Sequence, residues 1–192
     1  MLDKSVPHVV FYMRREAGPP PAKSTLPNGF GFSLYGDGDD QSWAVIETSV
    51  LEFDSEFAAL MHFKEKFAPY PDELSRRCLF IENCDGRKVA TATAWWSIVE
   101  GQRRPWLQWV GVDPEFQGLG LGKALISRAT ELLIELEGEG PLFLKTQTWS
   151  YKAVNIYRAC GFEPTDEKLL YRNKKDNYKK AMRILEKVSK RR

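Results

Sequence analysis

Apolar residues recur along this chain with two periods, and the switching between them lays out a series of elements. Residues 8–13 form a short strand-like run, and GPPPAKSTLPNG after it is a loop, because consecutive prolines lack amide donors and hold the backbone extended. GFGFSLY, residues 29–35, alternates as a strand does. Beyond the turn GDGDDQS, whose acidic end suits a helix N-terminus, Trp43, Ile46 and Val50 space a helix. Asp54 is expected to cap a second helix carrying Phe57, Leu60, Met61, Lys64 and Phe67, stopped by APYP. CLFIEN and KVATATAWWSIV flank Cys84-Asp85-Gly86-Arg87, and the Asp-Gly pair predicts a hairpin between two strands. PWLQWVGV, residues 105–112, supplies another strand.

From Gly120 the period changes to three and four. Leu121, Ala124, Leu125, Ala129, Leu132, Leu133 and Leu136 mark an amphipathic helix that ends at EGEGP. LFLKTQT then reads as a strand, residues 150–160 as a helix closed by Gly161, and EPTDEKLLY as a last strand. In the tail, Tyr178, Met182 (or Ala181), Leu185 and Val188 make one narrow apolar stripe. No internal repeat interrupts this order, which argues for an α/β fold with a mixed sheet flanked by helices.

Composition narrows the picture. At 192 residues with 43% apolar side chains, the chain is long enough for one domain with a real core. No stretch has the apolar length of a membrane span and the start lacks an export signal, so a cytoplasmic protein without membrane contact is expected. Cys78, Cys84 and Cys160 are odd in number and lack paired spacing, and with only His8 and His62 there is no zinc set, so no metal is expected. The net charge of +2 hides an asymmetry: residues 173–192 hold nine Lys/Arg against two Asp/Glu, about +7, leaving about −5 for the rest. The stripe in that tail favours an amphipathic helix docked on the domain or on a partner. Nucleic-acid binding, confined to the tail, is the disfavoured reading. A homodimer stays open.

The chemistry concentrates in PEFQGLGLGKALI. A Walker loop fails because Gln117 stands where its first glycine belongs and Ala124 where a hydroxyl should hold magnesium. A dinucleotide fingerprint fails because Lys123 occupies the third glycine site. What fits is Q-x-x-G-x-G, carried by Gln117, Gly120 and Gly122 between a strand and a helix. Together, LQWVGVDPEFQGLGLGKALI and AVNIYRACGF resemble the GNAT superfamily of acyl-CoA-dependent N-acyltransferases, and the element order from Gly29 to Tyr171 resembles its fold.

The resemblance implies acetyl-CoA as co-substrate and an amine, on a small molecule or a peptide, as acceptor. It divides the chain into an N-terminal strand and Pro-rich loop (1–28), a GNAT domain (29–172) and a basic helix (173–192). It places the pyrophosphate on the amides of Gly118, Leu119, Gly120, Leu121, Gly122 and Lys123, where a helix start offers unpaired N–H groups and glycines let the backbone approach. Gln117 would brace that loop. Val110, Gly111 and Val112 would pair with the pantetheine arm and polarise the thioester carbonyl. Tyr157, in A-x-x-x-Y-x-x-x-G-F, would be the general acid for the leaving thiolate.

Two departures stand out. Ser150 occupies the place of a cofactor-contacting Asn in many relatives, with Asn155 as a substitute, and Lys145 stands where some relatives carry a general-base glutamate. Glu100, Glu47 or a water held by Thr146 are the candidates for the base. The absence of a motif base keeps a non-catalytic acyl-CoA-binding module as the alternative. Trp95, Trp96, Trp106, Trp109 and Trp149 crowd the acceptor side, and strand alternation predicts that two or three of them line the cleft.

Overall fold

A computed structural model describes residues 2–171 and 176–190. Its elements in chain order are β1 (Val10–Arg15), β2 (Phe30–Leu34), α1 (Asp39–Ser49), α2 (Glu56–Phe67), α3 (Pro71–Arg77), β3 (Cys78–Asn83) and β4 (Lys88–Val99). β5 (Gln102–Val112), α4 (Leu121–Glu137), β6 (Leu142–Gln147), α5 (Tyr151–Ala159), β7 (Phe162–Thr165), α6 (Lys168–Tyr171) and α7 (Asn177–Ser189) follow. The strands form one seven-stranded sheet in the order β2-β3-β4-β5-β6-β1-β7, antiparallel throughout except for β5 beside β6.

The sheet is covered on both faces, which is why β3 reads as a continuous apolar run rather than an alternation. Its Leu79 and Ile81 join one core cluster, with Leu121, Leu125 and Ala129 of α4 and Tyr157 of α5. Cys78 and Phe80 point to the other, with Trp43 and Ile46 of α1 and Phe63 and Phe67 of α2. At the edge of this second layer buried Arg77 donates to the Ala94 carbonyl at 2.9 Å and pairs with Glu137 at 2.8 Å and with Glu73, so its charge is satisfied on every side.

Four sequence expectations need correction. Ser55, not Asp54, caps α2, its hydroxyl accepting from the Ala58 amide at 3.2 Å. APYP ends α2 but also starts α3, because Pro71 occupies the first turn, where its missing N–H costs nothing. EPTDEKLLY divides into the strand β7 and the short helix α6, with Tyr171 buried and its hydroxyl donating to the Thr165 carbonyl at 2.8 Å. Finally, β1 is no appendage: it lies between β6 and β7 and pairs with both, so a boundary at 28/29 cuts through a single sheet. The boundary at 172/173 lies outside the described residues, as do Arg191 and Arg192.

The tail stripe is accounted for within the chain. Tyr178, Met182 and Leu185 of α7 pack against the first core cluster, Ala181 and Val188 are buried, and the Asn177 amide donates to the Val10 carbonyl at 3.1 Å. No helix among the described residues is long and apolar enough to cross a membrane.

Candidate active site

The parallel junction of β5 and β6 is short. Only Trp106 with Phe143 and Leu107 with Leu144 are in register, so beyond them the two strands part. On its other side β5 carries a bulge: Thr91 and Thr93 of β4 pair with Gly111 and Gln108, which leaves one extra residue on β5. Trp109 sits in this bulge with φ 51°, a left-handed conformation rare for a bulky side chain. The opening between the strands and the loop after β5 enclose a cavity of about 810 Å³. The end of β5 beyond Leu107, unpaired with β6, thus forms one wall.

At one end of the cavity lies the glycine loop. Gly118 and Gly120 have φ of 85° and 84°, and a Cβ on either would project into open space rather than into protein. Gly120 caps α4 with no side chain covering the first-turn amides and no acidic residue in that turn. The Gln117 amide donates to the Val112 carbonyl at 2.8 Å and holds the loop against the end of β5. Arg87 clamps it from the β3–β4 turn through Asp113 at 2.5 Å and Glu115 at 3.0 Å. A concave backbone with exposed amide donors fits a pyrophosphate, and the loop's geometry therefore suits coenzyme A. Replacing Gly120 with Ala forces a Cβ into the left-handed region at a cost of about 1 kcal/mol and sets a methyl group in the cradle. The expected result is an acetyl-CoA Kd raised on the order of tenfold, read by calorimetry.

Val110, Gly111, Val112, Gln117, Gly118 and Gly120 all line the cavity, as do Leu121, Gly122, Lys123, Ser150 and Tyr157. Leu119 does not line it; half of its surface is exposed. Asn155 stands on the exposed side of α5, outside the lining. Glu100 occupies the exposed tip of the β4–β5 hairpin with φ 49° and is likewise absent from the lining, because it belongs to the turn rather than to the strand face.

The acid at the centre is Glu47. It lies on α1 with both carboxyl oxygens buried and without a hydrogen-bond partner among the described residues. Gly111 makes room for it: a Cβ there would stand 3.1 Å from Glu47 Oε1 and 3.0 Å from Ile46 Cγ2. Burial, and secondarily the Glu52 carboxylate, hold its pKa well above the ordinary carboxyl value of 4.5. Tyr157, 7% exposed, lies near enough that its phenol is pushed up by burial first and then by Glu52 and Glu47. It therefore keeps its proton across the working pH range.

The raised Glu47 value carries a stability consequence. The folded protein holds this proton more tightly than the unfolded chain, so stability is fully present below the unfolded value near 4.5 and falls as pH rises through the folded value. Glu47→Gln is expected to raise the melting temperature relative to the parent at neutral and alkaline pH, with the gap closing below pH 4.5.

Of the five tryptophans expected on the acceptor side, only Trp109 lines the cavity. Trp95 and Trp96 stack at 4.1 Å on the α2–α3 side, Trp106 packs on Phe143, and Trp149 donates to the Val6 carbonyl at 2.7 Å, anchoring the N-terminal segment. Among the lining residues that sequence reasoning missed are His8, Glu52, Lys66 and Gln147. His8 and Gln147 are joined at 2.6 Å, and Gln147 donates to Glu52 at 3.1 Å. Among the described residues no His/Cys/Asp/Glu group is arranged to hold a metal ion.

Comparison with known proteins gives the family. The model of the acetyltransferase (GNAT) family matches residues 43–162, and the chain belongs to that family. It is 24% identical over 164 residues to an uncharacterized protein of Mycobacterium leprae, covering 82% of this chain and 41% of that one. It is 40% identical over 62 residues to a mycothiol acetyltransferase of Arthrobacter, 32% of this chain and 19% of that one. A GCN5-related N-acetyltransferase from Sphaerobacter thermophilus shares the fold with a TM-score of 0.65 at 20% identity, covering 83% of this chain and 49% of the other. The chain thus spans less than half the length of each of these relatives.

Proposed function

We propose that the protein transfers an acetyl group from acetyl-CoA to the primary amine of an acceptor, directly within a ternary complex. Acetyl-CoA supplies the acyl group as a thioester. The amides of residues 118–123 would hold its pyrophosphate, with Gln117 keeping the loop in shape, and the free backbone of Val110, Gly111 and Val112 would align the pantetheine and polarise the carbonyl.

Glu47 receives the proton that the acceptor ammonium must lose before its lone pair is available. Its high proton affinity makes it the stronger base once an adjacent ammonium has favoured the carboxylate form. Tyr157, kept neutral by its surroundings, donates to the departing thiolate. The observation that carries this reading is the convergence of an unpartnered buried carboxyl and a neutral phenol beside the bulged, freed backbone of β5. Direct transfer is supported by the cysteines: none lines the cavity, and Cys78 is buried with its thiol pushed up to about 12.

The test is thiol release from acetyl-CoA by purified protein against a panel of amines, with the product identified by mass spectrometry as the amide. Amine-dependent release supports the reading. Tight acetyl-CoA binding with no release from any member would leave an acyl-CoA-binding module instead.

A further inference from the structure

The acceptor end of the cavity holds charge of both signs. Glu47 is buried without a partner in its wall, and Glu52 stands at its mouth, tied to Gln147. Of the four lysines that line the cavity, Lys123 follows the glycine loop and Lys152 lies on α5; the other two are the half-buried Lys66 on α2 and the exposed Lys145 on β6. Lys66 has its pKa lowered by desolvation and then by Lys145, and Lys145 reaches Glu52 only at longer range than a close ion pair. Neither Lys66 nor Lys145 belongs to a close ion pair among the described residues, whereas the partly buried Lys88 pairs with Glu82 at 2.7 Å and Arg104 with Glu167 at 2.8 Å.

Lys66 and Lys145 are close enough to feel one another's charge, Glu52 answers Lys145 only at longer range, and the same cavity is lined by Glu47, a carboxyl without a hydrogen-bond partner among the described residues. A single ligand satisfies all three if it carries both an amine and an anion.

Resting on the acetyl-transfer reading above, we propose that the acceptor is a small zwitterionic amine, its amino group at Glu47 and an anionic group, carboxylate or phosphate, at Lys66 and Lys145. The alternatives fit less well. A di- or polyamine would set its second cation against the two lysines, and a plain alkylamine would leave them uncompensated. Lys145 then has a role of its own: at the position where some relatives carry a basic glutamate, this chain places a cation, and the proton-accepting carboxyl enters from α1 instead.

Matched acceptors test the proposal in the thiol-release assay with the full chain. α-Amino acids are set against their decarboxylated amines, phosphoethanolamine against ethanolamine, and spermidine represents the polycations. The proposal expects the anion-bearing member of at least one pair to exceed its partner in kcat/KM by on the order of tenfold or more. The carboxylate and phosphate pairs distinguish the two anion sources. Lys66→Gln and Lys145→Gln should raise KM for that acceptor with little change in kcat and no change for the partner that lacks the anionic group.

A second readout is independent of turnover: the anionic acceptor should raise the melting temperature of the parent and not of a Lys66→Gln, Lys145→Gln double variant. Equal or better turnover of plain amines or spermidine, unaffected by either lysine substitution, overturns the acceptor class and leaves acetyl transfer standing. Release from no amine at all overturns both.

Discussion

Glu47→Gln is expected to lower kcat by about 10² to 10³-fold while leaving the Kd for acetyl-CoA unchanged. The amide keeps the shape of the carboxyl and adds no volume against Gly111, where an added Cβ would stand only 3.1 Å from Glu47 Oε1, so the β5 wall should persist. What disappears is the proton acceptor. The pH profile separates this from a structural defect. In the parent, kcat should rise with pH through a value above 4.5, since the carboxyl must ionise to act. In the variant that limb should vanish, leaving a low, flat rate that climbs only where the free amine itself deprotonates. Near-parental turnover in Glu47→Gln would remove the residue from the reaction and direct attention to a water held at Thr146, which is buried and also lines the cavity.

The second large effect falls on Tyr157. Tyr157→Phe removes only a hydroxyl from a ring packed edge-on to Phe162 at 6.4 Å, so the helix and its core contacts should survive. With no proton donor for the thiolate, kcat is expected to fall by about 10 to 10²-fold at saturating substrates. The loss should be greatest with acetyl-CoA and smaller with an acyl donor whose thiol is more acidic, because such a leaving group needs the proton less. A uniform loss across donors would assign the tyrosine to positioning instead.

The donor half of this site was legible in the sequence because its chemistry is local. A glycine loop between a strand and a helix is contiguous, so spacing alone separated Gln117, Gly120 and Gly122 from other phosphate loops. The acceptor half is assembled from α1, α2, β6 and the N-terminal segment, which meet only through the tertiary fold. One signal was nevertheless present. Glu47 falls on the stripe of Trp43, Ile46 and Val50, and a carboxyl on the buried face of a helix has to be accounted for. Glu100 drew notice by its place after a long strand, but a Glu-Gly pair at that point is a hairpin tip. The tryptophans misled for a related reason: alternation divides a strand's residues between two faces, and here both faces are covered by helices. The position of β1 was hidden too, since nothing local records that a strand will pair with two others more than a hundred residues away.

If donor and acceptor meet at the bulge of β5, between Tyr157 and Glu47, a crystal structure of the protein with coenzyme A should show the pyrophosphate on the amides of residues 118–123, the sulfur within hydrogen-bond reach of the Tyr157 hydroxyl, and open space from the sulfur towards Glu47, Lys66 and Lys145. A coenzyme bound away from the glycine loop, or a sulfur separated from Glu47 by the β5 backbone, would contradict that arrangement.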